Sequence, residues 1–258
     1  MYDSDENRKL PKRPMPMPLF KKIIDEAVTI PQITQVAFAG LAEPLLDPFF
    51  IERVAYTSAA RPDWRLEMYT NGISLTPEKF EAVKAAGMDV LVISLNAVSA
   101  EQHEKIMGVK GKFNLVCSHI NYAIANRGDM YHINTRAVLT GDTFTESDAL
   151  SFLRRWGVTN LGGYGKIITE RNWAGGIRTV AQFDPNSCCI RALEQISVHR
   201  DGRVNLCCYD PLNKYPFGDL KIQTIREVYN SPAYVAFRQM HFENRAAEHP
   251  LCKVCTRV

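Results

Sequence analysis

Val90-Leu91-Val92-Ile93, followed at once by Ser94-Leu95-Asn96, is the stretch that decides the fold. A strand with one wet face alternates apolar and polar residues, whereas an unbroken apolar run belongs to a strand covered on both faces, as in a parallel sheet. The segments around it agree. Residues 33–38, 66–69 and 132–139 predict further strands, and helix signals stand between them. Phe20, Ile23, Ile24 and Ala27 fall at i, i+3, i+4 and i+7, the stripe of an amphipathic helix over 19–28. A second helix is predicted over 48–58, and a third starts at Thr76-Pro77-Glu78, where Thr76 caps and Pro77 suits the first turn. Ser99-Ala100-Glu101-Gln102 and Thr145-Glu146-Ser147-Asp148 have the spacing of capping boxes, and Ala149, Phe152, Leu153 and Trp156 repeat the helical stripe. Strand and helix alternating in this way to about residue 160 give a parallel α/β fold. A glycine-rich connector over 157–176 then leads to a boundary near residue 180, so that residues 1–180 form one domain and residues 181–258 a second.

The chain has 258 residues, 46% of them hydrophobic and 23% charged, which suits an ordinary globular protein with one large domain and a small appendage. No apolar run reaches membrane-spanning length and no secretion or lipidation signal is visible, so the expectation is a cytoplasmic protein without a membrane partner. With 31 basic against 28 acidic residues the net charge is +3, and no basic stripe is interleaved with aromatics. Nucleic acid is therefore not an expected partner.

The second domain is marked by cysteines. Ile196-Ser197-Val198 and Val204-Asn205-Leu206 read as two short strands around His199-Arg200-Asp201-Gly202-Arg203, where Asp-Gly supplies the positive φ of a hairpin turn. Such a hairpin carries Cys189 and Cys207 toward one point, and Cys252-x-x-Cys255 returns two more thiols to complete a four-thiolate cage. Cages of this kind hold zinc or an iron-sulfur cluster, and the spacing does not choose between them. Disulfides fit poorly, because the cysteine count of seven is odd and no signal peptide precedes them. Cys117 reads as a core residue of a helical stretch, while Cys188 and Cys208 have no assignment. Capped helices are expected at Thr224-Ile225-Arg226-Glu227 and at Ser231-Pro232.

In parallel α/β barrels the chemistry sits at the C-terminal ends of the strands. Here those ends read Gly40-Leu41-Ala42-Glu43-Pro44, Thr70-Asn71-Gly72 and Ser94-Leu95-Asn96, with Arg136 inside a later strand. Singly, each has an ordinary reading: a solvated carboxylate, a turn, a helix cap, a structural ion pair. As an ordered set they resemble the radical SAM superfamily. The first motif is similar to the family's Gly-Gly-Glu-Pro, with Ala42 at the second glycine; the second is similar to its Thr-Asn-Gly strand end; the third is similar to its ribose-contacting Ser-Leu-Asp, with Asn96 for the aspartate. Cys189 to Cys255, with Asp201-Gly202, Cys207-Cys208 and Gly218-Asp219, resembles the SPASM and shorter twitch extensions.

That resemblance implies a partial parallel (β/α)6 TIM-like barrel, its first strand missing, plus a small C-terminal β-hairpin and helix domain. It implies S-adenosylmethionine bound by Gly40, Glu43, Thr70, Asn71, Ser94, Asn96 and Arg136, and an auxiliary 4Fe-4S cluster on Cys189, Cys207, Cys252 and Cys255. The activity implied is reductive cleavage of S-adenosylmethionine to a 5'-deoxyadenosyl radical that abstracts hydrogen from a small-molecule or peptide substrate. An electron donor such as flavodoxin or ferredoxin would serve it, and the auxiliary cluster would accept an electron in oxidising an alcohol or modifying a peptide. The family's Cys-x3-Cys-x2-Cys loop has no match, since no cysteine precedes Cys117. The expectation is an N-terminally truncated sequence, inactive as it stands, whose complete form holds a second 4Fe-4S cluster. The alternative is a non-catalytic homologue without that triad, binding a peptide or protein partner around a structural metal site.

Overall fold

The structure, a computed structural model, describes residues 13–40, 42–130, 132–140, 142–169, 188–210 and 212–255. Packing divides them into two units, one formed by Ile30–Thr169 and one in which the residues up to Thr29 join those from Cys188 onward. Helix α1 (Met17–Val28) thus precedes the first strand in the chain but packs within the second unit. The expected boundary near residue 180, and the rest of the connector beyond residue 169, lie outside the described residues.

In the first unit five parallel strands, β1 (Gln35–Phe38), β2 (Arg65–Thr70), β3 (Val90–Ser94), β4 (His132–Leu139) and β5 (Gly165–Thr169), lie side by side in chain order. Helices α2 (Phe50–Ala60), α3 (Pro77–Ala85), α4 (Ala100–Met107), α5 (Phe113–Ala125) and α6 (Glu146–Trp156) connect them. This is the expected parallel α/β partial barrel, with five strands among the described residues. Alternation along each strand separates two faces. Leu66 and Met68, Leu91 and Ile93, and Ile133 and Ala137 are fully buried on one, as are the helix residues Phe80, Val83, Val116, Ile120 and Phe152. Burying one such large side chain contributes about 1.5–3 kcal/mol, so this face holds the unit together. The other face carries Glu67, Tyr69, Ser94, Asn134 and Arg136.

The capping expectations are met in detail at Thr145, whose Oγ1 accepts from Asp148 N–H at 3.3 Å while the Asp148 carboxylate accepts from Thr145 N–H at 2.8 Å. Ser99 makes only half a box. Its Oγ accepts from Gln102 N–H, but the Gln102 side chain accepts from Val98 N–H at 2.7 Å and donates to Thr143 O. The stretch read as a connector contains β5, which the sequence reading missed. Its glycines serve contact: a Cβ on Gly163 or Gly165 would fall within 2.4 or 2.5 Å of the Gly157 backbone.

The second unit is built around α7 (Ile190–Glu194) and the antiparallel strands β6 (Ser197–Val198), β7 (Arg203–Asn205) and β8 (Gly218–Asp219), followed by α8 (Ile225–Tyr229), α9 (Pro232–Phe242) and α10 (Pro250–Lys253). The expected hairpin forms, with Val198 opposite Val204 and Gly202 at φ +87°. Helix α1 joins this unit through polar contacts at its outer end: Lys22 Nζ donates to Leu220 O, Glu26 accepts from Ile225 N–H, and Arg226 donates to Thr29 O at 3.1 Å. Phe217 stacks on Tyr234 at 4.1 Å, and the buried Tyr234 hydroxyl donates to Gln195 O at 3.0 Å.

The hairpin turn is fastened by Asp201, which accepts from Arg203 Nε at 2.8 Å and His199 Nδ1 at 3.0 Å. Burial works to raise this carboxyl, but the hydrogen bonds from Arg203 and His199 prevail and hold it well below the ordinary carboxylate range. A carboxyl depressed by folding stabilises the fold above its unfolded pKa and ceases to do so as the pH falls through the folded value. The side chain is 38% exposed, so screening keeps the contribution small. Asp201→Asn is expected to cost up to about 1 kcal/mol at neutral pH in urea unfolding. The gap from wild type should close as the pH drops below about 3.9.

Candidate functional site

Two groups of chemically able side chains stand out, one in each unit. The first lies where β1, β2, β3 and β4 end. Glu43 follows β1 and caps a short 3-10 turn, Pro44–Leu46, accepting from Leu45 N–H at 3.3 Å. Its carboxylate also accepts from the Thr70 hydroxyl at 2.7 Å and from Asn71 N–H at 2.8 Å, which ties the loop after β1 to the end of β2. Thr70 Oγ1 in turn accepts from Gly72 N–H, and Asn71 Oδ1 from Ile73 N–H at 2.9 Å, closing a tight turn. His119 of α5 braces that turn by donating from Nδ1 to Gly72 O at 2.8 Å. Gly40 has φ +152° and no heavy atom within 4 Å of where a Cβ would sit; its neighbour Leu41 lies outside the described residues.

Register places Ser94 of β3 beside Arg136 of β4. The Arg136 carbonyl accepts from both Leu95 and Asn96 N–H, which turns the chain and leaves Asn96 at φ +55°. Asn96 is buried; its Nδ2 donates to Met107 Sδ at 3.6 Å, while its Oδ1 has no protein partner among the described residues. Arg136 lies with its guanidinium 5.2 Å from the centre of the Tyr69 ring, and its buried Nε has no partner among the described residues. Glu67 and Tyr69 share this polar face. Burial raises the Tyr69 phenol and the Glu67 charge adds to that, with Arg136 acting the other way, so the hydroxyl keeps its proton. The sequence reading passed over both residues, although Leu66-Glu67-Met68-Tyr69 alternates apolar and polar side chains.

The second group is the cysteines. Cys189, Cys207, Cys252 and Cys255 line one cavity, whose wall also includes Arg191, Tyr209 and His241. Cys189 immediately precedes α7, Cys207 follows β7, and Cys252 and Cys255 share the turn of α10, where Cys255 N–H donates to Cys252 O at 3.2 Å. Burial pushes the Cys207 thiol up, the neighbouring cysteines add to that, and Tyr209 N–H, donating to its sulfur at 3.3 Å, works against it. Among the described residues no three His, Cys, Asp or Glu side chains gather tightly enough to hold one metal ion. Cys188 and Cys208 are exposed, and Cys117 is a buried residue of α5. The fully buried His241 at the end of α9 was not anticipated: its Nδ1 accepts from Cys189 N–H at 3.3 Å and its Nε2 lies 3.7 Å from Cys252 Sγ. No sequence spacing announces it, because the contact is made only when α9 packs beside the cysteines.

Two family models match the chain. The family model described as the radical SAM superfamily matches residues 4–153, and the SPASM model, an iron-sulfur cluster-binding domain, matches residues 188–256. A GTP 3',8-cyclase of Mycobacterium sp. (strain KMS) is 35% identical over 133 residues, which is 52% of this chain and 36% of that protein. An AdoMet-dependent heme synthase of Methanosarcina barkeri is 33% identical over 116 residues, 45% of this chain and 32% of that one. The chain thus spans about a third of the length of these curated relatives. Among solved structures, BtrN in complex with AdoMet and 2-DOIA superposes with a TM-score of 0.65 at 20% identity, covering 95% of this chain and 81% of that one. Native anSMEcpe with bound AdoMet gives 0.66 at 14% identity, covering 94% and 80%. At these identities the likeness speaks for the fold.

The turn that holds Glu43 has little tolerance. Gly72 sits at φ +78°, and a Cβ there would meet Ile93 Cγ2 at 2.9 Å and Val116 Cγ1 at 3.0 Å. Gly72→Ala is expected to lower stability by about 1–3 kcal/mol, measured by denaturant unfolding. Gly108→Ala, at a similar positive φ but in open space, should cost less.

Proposed function

Because the chain belongs to the radical SAM superfamily and carries a SPASM domain, with which 4Fe-4S clusters and S-adenosylmethionine go, we propose that its two sites serve one radical reaction. S-adenosylmethionine takes the strand ends of the first unit, and a 4Fe-4S cluster takes Cys189, Cys207, Cys252 and Cys255. The observation that carries this reading is the pair of buried polar atoms, Asn96 Oδ1 and Arg136 Nε, without partners among the described residues. Leaving such a group unpaired costs about 1–3 kcal/mol, which a ligand with a hydroxyl and a carboxylate removes.

The residues then divide the work. Glu43 uses three of its roughly four acceptor positions on Thr70, Asn71 and Leu45, and the remaining one accepts from the methionyl ammonium. Thr70 and Asn71 aim the carboxylate and reach the cofactor only through it. Arg136 pairs with the methionyl carboxylate, for which its planar fork is suited. Ser94 and Asn96 hold the ribose; the asparagine keeps, in Oδ1, the acceptor that an aspartate would offer. Gly40 lets the backbone approach. S-adenosylmethionine bound there and reduced by a catalytic cluster, for which this chain supplies no cysteine triad, would provide the 5'-deoxyadenosyl radical that abstracts hydrogen from a small-molecule or peptide substrate.

Four thiols around one cavity suit the four-thiolate cage of a 4Fe-4S cluster, and the match to an iron-sulfur cluster-binding domain favours that over zinc. A cluster there provides an electron acceptor, which makes the net reaction the oxidation of an alcohol or the modification of a peptide. A flavodoxin- or ferredoxin-type donor would feed the reaction, and reduced thiols suit a cytoplasmic setting. No helix among the described residues is long and apolar enough to cross a membrane. The family's Cys-x3-Cys-x2-Cys loop has no counterpart within these 258 residues.

Anaerobic reconstitution with iron and sulfide should load about four irons per chain and give thiolate-to-iron charge-transfer absorption. Replacing any of Cys189, Cys207, Cys252 or Cys255 by Ala should abolish it, whereas Cys117→Ala should not. One tightly bound zinc with no cluster uptake would overturn the assignment. Glu43→Ala should weaken S-adenosylmethionine binding about tenfold or more by calorimetry, about 1.4 kcal/mol, while leaving the iron content unchanged. This chain should not form 5'-deoxyadenosine on reduction. If it binds a peptide or protein partner but no S-adenosylmethionine, the non-catalytic reading takes precedence.

A further inference from the structure

His241 sits in the last turn of α9 with its ring wholly buried between two of the four cysteines. A backbone amide can only donate, so Cys189 N–H at 3.3 Å makes Nδ1 an acceptor and leaves it without a proton. In a neutral imidazole the proton then resides on Nε2, which lies 3.7 Å from Cys252 Sγ. Bonds to sulfur are longer and weaker than bonds to oxygen, and this one points from an N–H to a thiol. The ring has little freedom to do otherwise. Phe237 packs edge-on to it at 4.8 Å, Tyr234 one turn earlier is stacked on Phe217, and Arg238 donates to Tyr229 O at 2.6 Å. A second sulfur, that of Cys207, receives Tyr209 N–H at 3.3 Å.

We infer that His241 is a positioning residue for the cluster, donating from Nε2–H to the Cys252 sulfur and thereby raising the cluster's reduction potential. The inference rests on the reading that these four thiols hold a 4Fe-4S cluster. An N–H directed at a ligating thiolate stabilises the electron-rich sulfur, and does so more strongly once the cluster gains an electron, so the reduced form is favoured. Through Nδ1 and Nε2 the same ring also joins Cys189 to Cys252, two residues that arrive from opposite ends of the domain. This suits a centre that takes an electron from a substrate, for which a higher potential is an advantage.

The test uses the full chain, reconstituted anaerobically, with His241→Phe to remove both nitrogens at similar volume and His241→Gln to restore an N–H donor. Iron content and charge-transfer absorption report the cluster, and EPR-monitored titration reports its potential. The expected result is intact iron content in all three. At a given applied potential His241→Phe should hold about tenfold less reduced cluster, about 59 mV lower for a one-electron couple, with most of the difference recovered in His241→Gln. Pulsed EPR of reduced wild type should show an exchangeable proton coupled to the cluster, lost in D2O and in His241→Phe. An intact cluster with unchanged potential in His241→Phe overturns the inference and leaves the cluster reading standing. A shift that His241→Gln fails to reverse assigns the effect to packing and overturns the hydrogen bond. If His241→Phe takes up no cluster, pulsed EPR of wild type labelled with 15N-histidine decides, a histidine nitrogen coupled to the cluster supporting the inference and its absence overturning it. Wild type that takes up zinc or no iron overturns the cluster reading and this inference with it.

Discussion

Parallel pairing of β1 through β5 in chain order constrains everything else in the first unit. Each strand must return to the starting edge before the next begins, and right-handed crossovers bring those returns over one face. That face becomes the core, and the opposite face is free to carry Glu67, Tyr69, Asn134 and Arg136. The same constraint collects all C-terminal strand ends along one edge. Glu43, Thr70, Ser94 and Arg136, scattered through almost a hundred residues of sequence, are thereby set on neighbouring strands with Ser94 directly opposite Arg136. One carboxylate, accepting from Thr70 and Asn71, holds that edge, where Asn96 Oδ1 and Arg136 Nε have hydrogen-bonding capacity that no described residue uses.

The second unit works under a different limit. Its strands are two or three residues long and its sheet has three of them, so backbone pairing contributes little. An aromatic group of Phe217, Tyr234 and Phe237 replaces an extended core, and Asp201 with Arg203 and His199 fastens the hairpin that leads to Cys207. Small units of this kind lean on metal or disulfide linkages when apolar burial falls short. Burial and the neighbouring cysteines raise the Cys207 thiol, and Tyr209 N–H, donating to its sulfur, works against that rise.

One departure from the family's motifs is informative on this geometry. Asn96 spends its amide on Met107 and keeps an acceptor oxygen, so the exchange for aspartate removes a charge without removing an acceptor. Thr70 and Asn71 hold Glu43, the first through its hydroxyl and the second through its backbone N–H. Gly72 is needed because Ile93 and Val116 close in on it from β3 and α5.

The sequence by itself determined the elements whose signals are local. The apolar run at Val90 specified a two-face-buried strand, Thr145 and Thr224 their capped helices, and Asp201-Gly202 the hairpin. Each of these is set by neighbours within a few residues or by a spacing that a hairpin closes. Only the tertiary structure decided the rest. Strand β5 hides among glycines whose reason is contact with Gly157; helix α1 carries a stripe that says it must be buried but not against what, and it packs with the C-terminal unit; Glu43 gains its partners from β2. His241 meets the cysteines only because α9 folds back beside them. Periodicity and capping act over a turn or two of chain, whereas, the Gly157 contact aside, these contacts join residues about ten to two hundred positions apart, and nothing in the local chemistry of either partner names the other.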